Sequence, residues 1–176
     1  MKTDLMVAEL KDVDLLHQVC TTAYTQHFAD HWEPGRLAWY LDISFSPERL
    51  RKDILDPDTT YYLIYAENQP AGFVKLNDRL KDDPDGRFEE ALELERIYML
   101  PVFKGTGIGK TVMADIEAIA REKQKQSIVL YVVAANVPAI RFYERNGFGK
   151  TGETRLELSG FKEAFKPAII MQKKLH

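Results

Sequence analysis

Apolar positions along the chain follow two periods, and where the period changes the chain divides into strands and helices. Leu5-Met6-Val7 reads as a short strand, and Leu15, Leu16, Val19, Ala23 and His27 fall at helical spacing within Asp12–Phe28, an opening β-α unit. Ala29–Phe45 is rich in aromatic residues but keeps neither period, which predicts a broken helix and loop. Ser46-Pro47-Glu48 starts the next helix, running to about Ile54, because Ser caps free N–H groups and Pro at the first position loses no needed donor. Tyr61–Glu67 and Ala71–Leu76 are β-rich runs joined by Asn68-Gln69-Pro70, and predict an antiparallel hairpin.

Asp78–Glu89 carries Lys81-Asp82-Asp83-Pro84-Asp85-Gly86, the composition of a charged loop projecting into solvent. Ala91–Leu100 is the following strand and ends at Pro101. Beyond a Gly-rich turn, Ile108, Val112, Met113, Ile116 and Ile119 trace one face of a helix to about Lys123. Ser127–Val133, apolar and β-branched, fits a strand covered on both faces. Val137–Asn146 is a short helix stopped by Gly147, and Lys150–Leu158 and Ala168–Lys173 are the last strands. Neither linker nor repeat interrupts this order, so residues 1–176 are expected to form one α/β domain.

Composition narrows the picture. With 45% hydrophobic residues, 29% charged residues and a net charge of -3, the chain has the balance of a folded globular protein. It lacks the basic excess that would neutralise a run of phosphates, so duplex nucleic acid is not an expected partner. Cys20 is the only cysteine, which excludes an internal disulfide and a Cys-rich zinc site. No signal-peptide core follows Met1, and no run of roughly 18 apolar residues occurs. A cytoplasmic location without membrane association is the expectation.

Chemistry concentrates first in Lys104-Gly105-Thr106-Gly107-Ile108-Gly109. A Gly-rich turn between strand and helix exposes backbone N–H groups at the positive end of the helix dipole, where phosphate oxygens bind. The ATP-binding P-loop fails here because Lys104 stands where its leading Gly is needed, although Gly109-Lys110-Thr111 supplies its end. The dinucleotide fingerprint fails because Lys110 stands where its third Gly belongs. The turn resembles instead the [QR]-x-x-G-x-[GA] pyrophosphate turn of the GNAT acetyltransferase superfamily, with Lys104 keeping the cation but losing the guanidinium fork. Downstream, Asn136 to Phe148 resembles the second signature of that family, N-x-x-A-x-x-F-Y-x-x-x-G-F, at every named position.

The resemblance implies a GNAT fold, a mixed sheet of about six or seven strands flanked by helices, with a splayed strand pair holding acetyl-CoA. It implies that the backbone of Ile97, Tyr98 and Met99 meets pantetheine, and that Lys104, Gly105, Thr106, Gly107, Ile108, Gly109 and Lys110 surround the pyrophosphate. Asn136 is either a polar contact to the cofactor or simply the cap of the helix that follows it. Tyr143 matches the position of a general acid that protonates the departing thiolate. Glu93 and Glu95 match positions of a carboxylate that takes the proton of the attacking amine; they share a face if the strand is regular, and Glu95 is favoured. His27 and His31 have the spacing of a helical metal pair but no third ligand, so no metal is expected. With Tyr24, Phe28 and Trp32 they are expected to line the acceptor pocket.

Tyr24–Trp32, Leu94–Tyr98 and Ile169–Leu175 are similar to bacterial spermidine/spermine N-acetyltransferases. That likeness implies a polyamine-like amine substrate, held by aromatic and acidic side chains. Transfer to a protein N-terminus or lysine, and a CoA-sensing domain without turnover, stay open as alternatives. A homodimer is a further implication of the family.

Overall fold

All 176 residues are described in the computed structural model. The seven predicted strands form one sheet, built from β1 (Thr3–Val7), β2 (Thr59–Ala66), β3 (Gln69–Asn77), β4 (Ala91–Met99), β5 (Ser127–Val133), β6 (Gly149–Arg155) and β7 (Pro167–Lys174), in the order β1-β2-β3-β4-β5-β7-β6. Every neighbouring pair is antiparallel except β4 and β5, whose parallel pairing requires a crossover helix. That helix is α4 (Ile108–Glu122), and the Gly-rich turn lies at its start.

The strand period decides which face each side chain enters. Tyr62, Ile64, Val74, Leu76, Ile128 and Leu130 join Val112, Met113 and Ile116 of α4 in one apolar cluster, against which α5 (Val137–Arg145) packs. Tyr61, Leu63 and Phe73 face the other way, toward α1 (Val13–Phe28), α2 (Arg36–Phe45) and α3 (Pro47–Leu55). Helices therefore cover both faces. None of them is long and apolar enough to cross a membrane.

Three local expectations are corrected. Of the stretch expected to be a broken helix and loop, 29–35 is a short 3-10 turn and loop, but residues 36–45 are a regular helix; Trp39 and Ile43 are apolar on its exposed side, which erased the period. The hairpin turns on Glu67-Asn68, both at positive φ (49° and 64°), while Gln69 and Pro70 already belong to β3, Pro70 beside a bulge where a missing N–H is tolerated. The 78–90 segment does not simply project. Its Leu80 and Phe88 are buried with Ala91 and Val129, and Arg87 donates to the Thr151 carbonyl.

Candidate active site

β4 and β5 pair only at Ala91–Ser127, Leu92–Ile128 and Glu93–Val129, although β4 runs on to Met99 and β5 to Val133. Beyond Glu93 the strands part, so the β5-facing edge of β4 has no strand partner. A cleft of about 1210 Å³ opens there, lined by Ile97, Tyr98 and Met99 of β4, the turn, α5 and the aromatic end of α1.

Gly105 and Gly107 hold φ of 78° and 86°, conformations that strain any side-chain-bearing residue. The amides of Gly105, Gly107, Ile108 and Gly109 donate to no backbone carbonyl. Thr106 is different, since both its amide and its hydroxyl bond the Phe103 carbonyl and it does not line the cleft. The Ile108 side chain is likewise turned into the core, so only its amide is offered. Lys104, Lys110 and Arg145 line the same cleft, Arg145 being a cation that the sequence reading missed. Free amides at a helix N-terminus, flanking cations and an unpartnered strand edge together fit a pyrophosphate joined to an amide-bearing arm. Asn136 lines the cleft and also caps α5, its Oδ1 accepting from the Ala139 amide at 3.3 Å.

Tyr143 projects from α5 into the cleft, its ring edge-on to Phe142 and Phe148. Burial pushes its phenol well above the ordinary range, and nearby Tyr98 acts in the same direction. The hydroxyl is therefore held protonated at neutral pH.

The two carboxylates have different environments. β3 and β4 slip register at Lys75/Leu76, so that Lys75 faces Arg96 and Leu76 faces Leu94; Glu95 is the unpaired residue of a bulge. The bulge reverses the parity of β4. Leu92 and Leu94 before it and Ile97 and Met99 after it reach the same cluster, and Arg96 and Tyr98 turn to the α1 side. The assumption of a regular strand is thus corrected, yet both carboxylates line the cleft, because Asn77 Nδ2 donates to Glu93 Oε2 and to Glu95 Oε2, each at 2.7 Å.

Glu95 is an ion-pair partner. Lys75 Nζ, itself buried, lies 3.0 Å from Glu95 Oε2 and 3.4 Å from Asp53 Oδ2, and Tyr61 and Arg49 complete the surroundings of Asp53. Burial opposes ionisation of Glu95, but Lys75, Arg96 and the Asn77 bond outweigh it and hold the carboxyl at about 2. For Glu93, burial pushes the carboxyl up, and the Asn77 bond only partly offsets it. Of the two, Glu95 is therefore tied into an ion pair, whereas Glu93 is engaged by Asn77 and by no cation within ion-pair distance.

Arg96 was not anticipated. Its guanidinium sits 4.8 Å from the Phe45 ring centroid and 5.7 Å from those of Tyr24 and Tyr40, donates from Nη2 to the Tyr40 hydroxyl at 2.7 Å, and lines the cleft. His27 and Phe28 also line it, and His27 Nε2 donates to the Met99 carbonyl at 3.2 Å. His31 and Trp32 do not. α1 ends at Phe28, so the spacing of His27 and His31 is not carried on one helix, and His31 stacks on Phe165 at 3.8 Å. Trp32 is a core residue whose Nε1 donates to the Tyr24 hydroxyl at 3.2 Å.

The family profile described as acetyltransferase (GNAT) matches residues 21–148, a span holding every lining residue of the cleft named so far. The chain belongs to the GNAT acetyltransferase family. An uncharacterized N-acetyltransferase of Lactobacillus delbrueckii subsp. lactis is 28% identical over 159 residues, covering 86% of this chain and 88% of that one. The spermidine N(1)-acetyltransferase of Thermoplasma acidophilum is 23% identical over 152 residues, or 84% of this chain and 89% of the relative. Among solved structures, the PaiA N-acetyltransferase of Thermoplasma acidophilum in complex with coenzyme A superposes with a TM-score of 0.78 at 22% identity, over 99% of this chain and 100% of that one. The seven-stranded mixed sheet flanked by helices is therefore a GNAT fold, as the two motifs implied.

Proposed function

We propose that this GNAT enzyme transfers the acetyl group of acetyl-CoA to the primary amine of a small molecule, by direct attack in a ternary complex. The observation that carries the reading is one cleft lined at once by the Gly-rich turn with its free amides, by Tyr143 and by Glu93. Acetyl-CoA supplies an activated acyl group as a thioester, and the new C–N bond forms as the C–S bond breaks. The turn amides, with Lys104 and Lys110, hold the pyrophosphate, and the open edge of β4 receives the pantetheine arm. Glu93 takes a proton from the acceptor ammonium, which cannot attack until that proton leaves. Tyr143 keeps its proton until charge develops on the departing sulfur, then shares it.

A polyamine is the acceptor favoured by the resemblance to the Thermoplasma spermidine N(1)-acetyltransferase. The cleft-lining rings of Tyr24 and Tyr40 give it no added support, because they already face Arg96. The test is a panel of amines, amino acids and peptides assayed for acetyl-CoA-dependent thiol release. Release with small primary amines and not with peptides is the expected result. No release with any amine, alongside tight coenzyme A binding, would leave a CoA-sensing domain in its place.

A further inference from the structure

The acceptor half of the cleft contains a cation whose charge the protein leaves poorly paired. The Arg96 guanidinium is permanently charged and largely buried; its Nη2 bonds the Tyr40 hydroxyl, whose pKa the guanidinium draws down against burial, and its Nε has no hydrogen-bond acceptor. The nearest carboxylate, Glu95, is 3.9 Å from Nε and already committed to Lys75 at 3.0 Å and Asn77 at 2.7 Å. Asp53, the next acid of the network, is taken up by Arg49, Lys75 and Tyr61. A buried arginine in this condition lowers the energy of any anion that reaches it.

The same geometry bears on cationic acceptors. An ammonium entering the acceptor pocket finds Glu93 unpaired with any cation, and so has one favourable seat. A second ammonium would meet the cleft-lining rings of Tyr24 and Tyr40 already facing Arg96, and would add a like charge beside it.

We infer that the cleft has an anion subsite at Arg96 and that the acceptor is a zwitterion, an amine carrying a carboxylate. Its ammonium sits at Glu93 and its carboxylate faces the Arg96 guanidinium, a planar cation suited to carboxylate oxygens. Tyr40, which also lines the cleft, is a positioning residue here, holding Nη2 through its hydroxyl. The inference rests on the acetyl transfer proposed above and sets a zwitterion in place of the polyamine that the resemblance favours.

The test compares amino acids having one to four carbons between amine and carboxylate with their own carboxamides and with spermidine, each as kcat/KM in the native enzyme. At least one amino acid should exceed its amide by about tenfold or more, the scale of a charged hydrogen bond. The amide has the less basic amine and more of it unprotonated, so intrinsic reactivity runs against this outcome. In Arg96→Gln the ratio of acid to amide should collapse toward unity, and in Tyr40→Phe, which preserves packing, it should fall part of the way. Amides or spermidine accepted as well as or better than every amino acid would overturn the anion subsite and leave acetyl transfer standing. An unchanged ratio in Arg96→Gln would overturn it equally, whereas no thiol release with any amine overturns acetyl transfer itself and the subsite with it.

Discussion

The two ends of the cleft are made of different material. The turn end is backbone: four amides without carbonyl partners, two glycines at positive φ, and flanking cations standing in solvent. The acceptor end is side chain: Asp53, Lys75, Asn77, Glu93, Glu95 and Arg96 arrive from α3, β3 and β4 and hold one another in a buried polar network. The first end presents generic backbone donors suited to a phosphate anion. The second sets the protonation of individual groups, and there the same residue type behaves in two ways, Glu95 held at about 2 and Glu93 pushed up.

This contrast can be broken by substitution. Tyr143→Phe should lower turnover by about 10²–10⁴-fold, the range of a lost general acid, while coenzyme A affinity measured by calorimetry stays near that of the native enzyme. Lys75→Met strips the buried ammonium from between Asp53 and Glu95 and should cost about 3–5 kcal/mol in denaturant unfolding. Gly107→Val should cost only about 1–2 kcal/mol of stability, the strain of a left-handed side-chain-bearing residue, and should show mainly as weakened coenzyme A binding. The pH dependence separates the ends further. Glu95 has its folded value depressed to about 2, so its stabilising contribution is complete above the ordinary carboxylate value of 4.5 and is lost as pH falls from there toward about 2. Acid unfolding monitored by circular dichroism should contain that component, and Glu95→Gln should remove it.

The same contrast explains what was legible in the sequence. A backbone site is written contiguously, because glycines must stand where φ is positive and apolar residues must recur down the following helix; Lys104 to Gly109 could be read without a structure. A side-chain network is written in scattered residues. Asp53 and Arg96 are 43 positions apart in the chain, and no local period links them. One signal was available: Lys75 and Asn77 interrupt the apolar run Phe73-Val74-Lys75-Leu76-Asn77, and polar residues in a central strand need buried partners. The bulge at Glu95 left no such mark, and it decides which way Arg96 points. His31 and Trp32 failed as pocket residues because α1 stops at Phe28 and redirects the chain. The aromatic surplus of 29–45 divides among core rings such as Trp32 and Phe45, the exposed Trp39, and Tyr40, which reaches the cleft.

Glu93→Gln tests the division of labour most directly. Since the native environment disfavours the Glu93 charge, its folded value lies above the unfolded one and the ionised group lowers stability at neutral pH. The variant should therefore melt at the same temperature or higher, and bind coenzyme A within about twofold of the native enzyme, because the turn is untouched. Acetyl transfer should fall by about 100-fold or more. Transfer retained within a few fold, or coenzyme A affinity falling together with it, would contradict an enzyme whose cleft binds with backbone at one end and moves protons with Glu93 at the other.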